Sequence, residues 1–118
     1  MSKHDCIFCK IVRGEIPSDK VFESENFIGI LDIRPVTDGH TLVIPKEHYE
    51  TLLEFPSSLG EELVENLKTI SLNLIKEGKA EGFNIMQSNY SVAQQEVPHI
   101  HFHIIPRKKD NPKKFKFE

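Results

Sequence analysis

The chain has 118 residues, of which 38% are hydrophobic and 28% are charged, and this composition is typical of one soluble globular domain with a modest core. The net charge of −3 gives no overall basic field that would recruit nucleic acid, and no apolar run approaches the ~20 residues of a membrane-spanning helix. The first residues also lack the apolar core of a signal peptide, so we expect a cytoplasmic protein.

The N-terminal segment predicts a short helix that contains two cysteines, Cys6 and Cys9. Asp5 is placed to cap this helix, and Gly14 marks its end. Three interpretations of the Cys-x-x-Cys spacing are open: two small buried residues, a redox pair, or two ligands of a zinc ion. The redox interpretation is the weakest of the three because no strand precedes the motif.

Three strands are predicted next, over residues 20–23, 27–33 and 40–44. Turn residues separate them at 25–26, at 34–35 and at 38–39, and Pro45 ends the third strand. Two polar residues lie at the ends of these strands, Asp32 and His40. From the sequence alone, Asp32 could be a cap of the following turn, and His40 could be an ordinary strand-end histidine.

The clearest element is a long helix that begins near residues 56–58, where Ser58 and Glu61 have the spacing of a capping box. Val64 and Leu72 lie away from its apolar stripe, and Gly78 suits its C-terminal end. The residues of the stripe recur at helical spacing: Leu59, Leu63, Leu67, Ile70 and Leu74.

A strand over 83–87, a polar loop over 89–96 and a final strand over 98–105 complete the prediction. The final strand carries His99, His101 and His103 in alternation with apolar residues, which is typical of a half-buried strand. Neutral imidazole can act as a nucleophile, a base or a metal ligand. Because same-face neighbours lie roughly 6.6 Å apart, three histidines of one strand can hardly converge on one metal ion.

Five strands and two helices without regular alternation predict an α+β fold, an antiparallel five-stranded sheet with one long and one short helix. We expect one domain over residues 1–118, with a core of about 5–107 and a basic tail over 108–118. The basic run that begins at Arg107 is either a solvated tail or a fringe that attracts phosphate.

These motifs together resemble the histidine triad (HIT) family, whose defining motif is His-x-His-x-His followed by two apolar residues. Residues 6–17, 27–33, 39–48 and 95–98 also resemble segments of that family. The resemblance covers about residues 5–107 and is closest to the Hint-like branch in its zinc-carrying microbial form.

The resemblance implies hydrolysis or transfer at the α-phosphorus of a nucleotide, such as a purine nucleoside phosphoramidate. It implies that His101 is the nucleophile and that His103 and His40 flank the phosphate. Gln95 and Glu96 would complete the catalytic set, and Glu96 could assist the leaving group only in its protonated form.

The resemblance also implies one structural zinc ion, a substrate pocket and a homodimer. The expected zinc ligands are Cys6, Cys9, His48 and His99. The expected substrate-binding residues are Phe8, Ile11, Ile30, Asp32, Ile33 and Asn89.

Some positions depart from the family pattern and leave other functions open. Tyr90 and Gln94 stand where members commonly have glycine, and glycine there permits a positive φ and close approach to phosphate. A zinc-stabilised nucleotide-binding or interaction protein with little turnover is therefore one alternative to the hydrolase or transferase. A metalloenzyme with its catalytic metal on the triad is another.

Overall fold

A five-stranded antiparallel sheet forms the centre of the molecule in a computed structural model, which describes residues 5–110. Two α-helices accompany the sheet, α1 (Ile7–Val12) and α2 (Gly60–Lys76), and 3₁₀ turns cover 57–59 and 91–93. The strands are β1 (Lys20–Glu23), β2 (Phe27–Leu31), β3 (Thr41–Pro45), β4 (Gly82–Met86) and β5 (Phe102–Arg107). Their order is β1-β2-β3-β5-β4 with every neighbouring pair antiparallel, which confirms the predicted α+β fold.

The sheet has a hydrophobic layer on each face, since both helices bury an apolar side against it. On one face, Leu63, Ile70 and Leu74 of α2 pack against β2, β3 and β5. On the other face, α1 packs through Phe8 and Cys9 against apolar residues of β2 and β3. Because β5 is inserted between β3 and the edge strand β4, the histidine-rich segment leads into an internal strand of the sheet.

The histidine segment differs from the prediction at its beginning. The ladder with β3 runs only from Phe102 to Ile104, so His99 and His101 precede the strand. Both side chains are buried, although the alternation predicted a half-buried strand with one exposed face. The reason is tertiary, because α1 covers the histidine face of the sheet while α2 covers the other.

Two predicted helix caps are wrong. The N-cap of α1 is Cys6, whose Sγ accepts a hydrogen bond from the Cys9 amide at 3.4 Å, so Asp5 is not the cap. The predicted capping box of Ser58 and Glu61 is absent, because the chain enters α2 through a 3₁₀ turn and Leu59 is the N-cap. The C-terminal end agrees with the prediction, since Gly78 follows the helix with a φ of 77°.

The remaining predictions about the elements are close to the structure. The stripe on α2 is confirmed: Leu63, Ile70 and Leu74 are buried, while Val64 and Leu72 are exposed. Strand β2 ends at Leu31, two residues before the predicted end. Strand β3 runs from Thr41 through Pro45, and β4 begins one residue early at Gly82.

The predicted basic tail is described only at its beginning. Lys108 donates from Nζ to the Gly78 carbonyl at 3.0 Å, and the Lys109 amide donates to Glu81 at 2.7 Å. Residues 111–118, which complete the predicted tail, lie outside the described part of the chain. Among residues 5–110, no helix has the length and apolar character needed to cross a membrane.

Candidate functional site

Three histidines meet on the sheet face that carries α1. His101 and His103 come from the histidine segment, and His40 immediately precedes β3. The ring centroids of His101 and His103 are 5.0 Å apart, and those of His40 and His103 are 5.2 Å apart. Two predicted catalytic residues of the triad and the more distant His40 are therefore brought into one cluster.

The His101 ring is oriented by the backbone. Its Nδ1 lies 2.9 Å from the carbonyl oxygen of His99, and a carbonyl can only accept, so Nδ1 carries the proton of the neutral ring. The lone pair of the neutral ring then resides on Nε2. This is the tautomer that a nucleophilic or metal-binding Nε2 requires.

His40 and His103 form a second oriented pair. The Val36 amide donates to His40 Nδ1 at 3.0 Å, so the neutral His40 ring carries its proton on Nε2. His40 Nε2 in turn lies 2.9 Å from His103 Nδ1 and donates to it. Neutral His103 therefore carries its proton on Nε2 and offers a hydrogen-bond donor there.

Burial keeps all three rings neutral at physiological pH. It lowers the pKa of His40, of His101 and of His103, in the last case to about 4. The negative charge of Asp32 opposes the pKa shift at all three rings, and that of Glu96 opposes it at His101. The cluster consequently combines uncharged imidazoles with two carboxylates, while the positive charge of Arg107 also lowers the pKa of His40.

Asp32 has two contacts in the cluster. Its Oδ1 accepts a hydrogen bond from the Arg34 amide at 2.9 Å, which is the turn cap considered above. Its Oδ2 lies 3.5 Å from His40 Nε2. Each carboxylate oxygen can accept two hydrogen bonds, so capping the turn leaves acceptor capacity for another donor.

Four predicted metal ligands form a second cluster, next to the first. The ligand atoms of Cys6, Cys9, His48 and His99 all lie within 4.8 Å of one another. The Cys6 Sγ is 3.2 Å and the Cys9 Sγ is 3.6 Å from His99 Nδ1, and the Cys9 Sγ is 3.3 Å from His48 Nδ1. Tetrahedral zinc with its usual bond lengths separates sulfur and nitrogen ligands by about 3.5 Å, so the spacing suits zinc.

The tautomer of His99 also suits a metal. Its Nε2 lies 2.9 Å from the Pro45 carbonyl and donates to it, so Nδ1 has a free lone pair that faces the two sulfurs. A zinc-binding histidine commonly has such a backbone acceptor at its other nitrogen. The donor set of the cysteine–histidine cluster therefore fits zinc.

A second group of possible ligands, Asp32, His40 and His103, fits a metal less well. Because Val36 donates to His40 Nδ1, a metal on His40 Nε2 would require either an imidazolate or the loss of that hydrogen bond. The donor chemistry thus favours the cysteine–histidine cluster over the triad as a metal site.

The predicted pocket residues separate into two groups. Phe8 and Ile30 are buried on the α1 face together with partly buried Ile11, and the Phe8 ring meets His101 edge-on at 5.0 Å. Ile33 is 91% exposed beyond the end of β2. Asn89 accepts hydrogen bonds from the Leu52 amide and from the Gln87 side chain, so it connects its own loop to the segment that contains Leu52.

Gln95 is buried and holds the loop that precedes the triad. Its Oε1 accepts from the Tyr90 amide at 2.6 Å, and its Nε2 donates to the carbonyls of Glu50 and Val97 at 2.7 and 2.9 Å. These contacts give Gln95 a positioning geometry, whereas the neighbouring Glu96 is exposed. The sequence placed both residues in the catalytic set and did not distinguish the buried Gln95 from the exposed Glu96.

Two residues of this loop have a backbone conformation that favours glycine. Tyr90 has φ 71° and ψ 153°, and Gln94 has φ 73° and ψ 26°. Gln94 therefore accepts the left-handed conformation at the position where family members commonly carry glycine. Such conformations cost about 1–3 kcal/mol each in non-glycine residues.

Sequence reasoning missed the groups that orient the histidines. They are the amide of Val36 and the carbonyls of Pro45 and His99. Every residue has a carbonyl and nearly every residue an amide, so no side-chain pattern could have identified these three.

Comparison with known proteins agrees with the resemblance. Residues 13–110 match the HIT domain family. The chain is 46% identical over 114 residues to an uncharacterised HIT-like protein of Methanocaldococcus jannaschii, covering 95% of this chain and 86% of that protein. It is 39% identical over 113 residues to the adenosine 5′-monophosphoramidase HNT1 of Candida albicans, covering 92% and 74%.

A solved structure is similar over almost the whole fold. The crystal structure of a zinc-bound histidine triad family protein from Mycobacterium smegmatis superposes with a TM-score of 0.90 at 38% identity, covering 99% of this chain and 85% of that one. Together with the family match over residues 13–110 and the sheet that places His101 beside His103 and His40, these similarities show that the chain belongs to the HIT domain family.

Proposed function

We propose that this protein hydrolyses purine nucleoside phosphoramidates or related nucleotidyl compounds, or transfers their nucleotidyl group, with His101 as the nucleophile. The observation that carries the proposal is the hydrogen bond from His101 Nδ1 to the His99 carbonyl, because it leaves the Nε2 lone pair of a neutral ring available. A relative in Candida albicans named as an adenosine 5′-monophosphoramidase supports the same chemistry.

In the proposed reaction, His101 Nε2 attacks the α-phosphorus and the bond from phosphorus to the leaving nitrogen breaks. The leaving amine takes up a proton from solvent. Water then attacks the same phosphorus and gives up a proton to solvent, the bond to Nε2 breaks, and the nucleoside monophosphate leaves. An acceptor other than water in the second step would give transfer instead of hydrolysis.

His103 is proposed to bind a phosphate oxygen, and His40 is proposed to hold the His103 ring in place, because the single donor of neutral His40 is already used by His103. Neutral His103 presents Nε2–H. His40 accepts at Nδ1 from the Val36 amide and donates from Nε2 to His103 Nδ1. Hydrogen bonds of this kind strengthen as negative charge develops on the phosphoryl oxygens in the transition state. We propose that Gln95 supports the chemistry by fixing the loop.

The substrate-binding set is proposed to contain Phe8, Ile11 and Ile30 against the purine and Asp32 against the ribose, with Ile33 and Asn89 at its edges. The first three residues supply apolar surface next to His101. Ile33 is solvent-exposed in the single chain, so it would contribute only where substrate covers it.

We propose that Cys6, Cys9, His48 and His99 hold one zinc ion per chain. Four protein ligands leave no open coordination position, so the metal would supply structural stability and no Lewis-acid chemistry. It would join α1 to the segment that carries the nucleophile. The zinc-bound relative from Mycobacterium smegmatis supports this assignment.

We also propose a homodimer. Strand β4 lies at one edge of the sheet, and Phe83 and Ile85 on it are large exposed apolar residues. Helix α2 exposes Val64, Leu72 and Ile75. Pairing of two β4 strands across a two-fold axis would cover an open edge and these apolar side chains together.

A nucleotide-binding protein with little turnover is the second candidate. The strained backbone at Tyr90 and Gln94 favours it, because both residues lie in the loop that leads into the triad. In this case nucleotides would bind with the same pocket residues, but no nucleotidyl intermediate would form.

One experiment separates the two candidates. The full chain is incubated with adenosine 5′-phosphoramidate, turnover is followed, and quenched samples are analysed by intact-mass and peptide mass spectrometry. The proposal predicts an adenylyl adduct on His101 and loss of turnover in His101→Ala, with nucleotide binding retained. Turnover of the variant within a few-fold of the wild type would refute the assignment, and binding without turnover in the wild type would favour the second candidate.

A further inference from the structure

We infer that His99 is a positioning residue that links the cysteine–histidine cluster to His101: a metal bound to its ring would fix the backbone carbonyl that selects the His101 tautomer. The effect on turnover rests on the proposed function, whereas the effect on the tautomer does not. The zinc ion would then touch no substrate and still control the nucleophile.

The ring of His99 is held on both edges. It is fully buried, its Nε2 donates to the Pro45 carbonyl at 2.9 Å, and its Nδ1 faces the sulfurs of Cys6 and Cys9. The His48 ring meets it edge-on with centroids 4.9 Å apart. The Nδ1 atom thus faces sulfur ligands of the cluster, and the Phe8 ring also packs edge-on against His99 at 5.7 Å.

The backbone of the same residue orients His101. The His99 carbonyl accepts from His101 Nδ1 at 2.9 Å, and the His99 amide donates to the Val97 carbonyl at 2.8 Å. The next amide, that of Ile100, donates to the Tyr49 carbonyl at 2.7 Å. His99 therefore makes its contacts with the cluster through the ring and its contact with the nucleophile through the carbonyl.

The sheet does not hold this carbonyl. The ladder between β3 and β5 begins at Phe102, so residues 99–101 lie outside it. Their supports are the Val97 turn and segment 45–49, which contributes the Pro45 and Tyr49 carbonyls and also the ligand His48. A metal that joins His48 to His99 would consequently restrain segment 45–49 relative to residue 99, and with it the position of the His99 carbonyl.

The chemical consequence concerns a tautomer and involves no change in the number of bound protons. In neutral imidazole, the nitrogen that keeps the proton is set by the hydrogen bond that the other nitrogen makes. If the His99 carbonyl moves away, the His101 proton can reside on Nε2, and that form has no lone pair at the attacking position. A residue that only stabilised the fold would leave this distribution unchanged.

The test uses the full chain with ¹⁵N-labelled histidine at pH 8, where the neutral rings dominate. Zinc-loaded wild type, chelator-treated wild type and His48→Ala are compared at a temperature where circular dichroism shows each to be folded. Ring ¹⁵N shifts in two-bond ¹H–¹⁵N spectra report the His101 tautomer. In parallel, kcat and KM are measured for adenosine 5′-phosphoramidate.

We expect one Nδ1–H tautomer of His101 in the zinc-loaded protein and a mixture of tautomers in the chelator-treated wild type and in His48→Ala prepared without metal. The value of kcat should fall about tenfold on metal loss, because loss of a group that orients a site residue typically lowers activity by about that factor or more. The value of KM should change by less than about twofold. His48→Cys keeps four ligands and should restore the single tautomer. Cys9→Ser is the second variant if His48→Ala does not fold.

Asn66→Ala is the control for general destabilisation. Asn66 is buried on α2, on the other side of the sheet, and its Nδ2 donates to Ser24 Oγ at 2.8 Å. This variant should lose stability and keep both the single tautomer and kcat. A single Nδ1–H tautomer in the folded metal-free protein would overturn the inference. A tautomer change without turnover in any sample would instead overturn the proposed function alone.

Discussion

The His40 and His101 rings are oriented by backbone groups, and the carboxylate of Asp32 adds a charge beside them. The negative charge of Asp32 acts to raise the pKa of each of the three rings, His40, His101 and His103. One of its oxygens is engaged with the Arg34 amide, and the other faces His40 Nε2. This position lets Asp32 bind a hydroxyl donor and hold the turn at the same time.

Substitution of Asp32 should change the preference for ribose over 2′-deoxyribose. Hydrogen bonds to an ionised carboxylate are worth about 1.5–3 kcal/mol, so the wild type should favour the ribonucleotide substrate by about tenfold or more in kcat/KM. Asp32→Asn should reduce this preference, and Asp32→Ala should nearly abolish it. The measurement is kcat/KM for matched ribo and deoxyribo phosphoramidates.

Asp38→Ala supplies the matched control, because Asp38 is an exposed carboxylate in the same loop. It should leave the sugar preference unchanged. Equal kcat/KM for the two sugars in the wild type would mean that Asp32 is only a turn cap.

Tyr90 offers a second test at this scale. Relief of its positive φ should contribute about 1–3 kcal/mol, and the greater chain entropy of unfolded glycine offsets about 0.5–1 kcal/mol of that. Tyr90→Gly should therefore raise the free energy of unfolding in urea by about 1 kcal/mol. Ala93→Gly, without a positive φ to relieve, should lower it, and a destabilised Tyr90→Gly would show that the tyrosine side chain outweighs the strain.

The sequence was most informative where side chains carry the chemistry. The spacing of Cys6 and Cys9 and the alternation of the histidines identified residues that the fold brings together. It was least informative for Ile33, whose exposure depends on where β2 ends, and for Gln95, whose amide is occupied by backbone partners of distant segments. Those properties are set by tertiary contacts that no local pattern encodes.

At the scale of elements, the contrast between local sequence patterns and tertiary contacts explains which helix and strand boundaries could be predicted. The periodicity of α2 is long and regular, so its buried stripe could be predicted. The start of β5 could not, because the alternation continues upstream while the pairing with β3 begins only at Phe102. Hydrogen bonds to segment 45–49 replace the ladder there, and these depend on the position of a distant loop.

A carboxylate connects two of the elements. Glu62 on α2 accepts hydrogen bonds from Ser24 Oγ at 2.6 Å, from the Asn26 amide at 2.8 Å and from Asn26 Nδ2 at 2.8 Å. Both donors belong to the turn between β1 and β2. Donation from Ser24 and Asn26 lowers the pKa of Glu62, so its ionised form stabilises the fold.

Glu62→Ala should therefore destabilise the protein by about 1–2 kcal/mol at pH 7, since it removes hydrogen bonds to a charged group that is partly solvated. Because the folded-state pKa is lowered, this stabilisation is present above pH 4.5 and is lost as the pH falls further. Urea unfolding at pH 7 and pH 4 should show the difference between variant and wild type shrinking at the lower pH. Glu61→Ala, at an exposed neighbouring carboxylate, should have little effect at either pH.

In the whole molecule, the candidate site and the larger apolar core lie on opposite faces of the sheet. The α1 face carries the histidine cluster and the cysteine–histidine cluster, and the α2 face carries the larger apolar core. Phe83 and Ile85 of β4 pair with Pro106 and Ile104, which places them on the α2 side of the sheet. The exposed apolar residues of β4 and α2 are thus on the side away from the candidate site, and covering them would not block the site.

The last prediction concerns this surface. Val64, Leu72 and Ile75 project within about 80° of one another around α2, and Leu72 is 49% exposed. A glutamate there would bring like charges together across a two-fold axis, so Leu72→Glu should shift the proposed homodimer to monomer while circular dichroism stays unchanged. Light scattering coupled to size exclusion at micromolar concentration measures the mass. Leu53→Glu, at a 78% exposed position outside this surface, should stay dimeric, and a monomeric wild type under these conditions would refute the dimer.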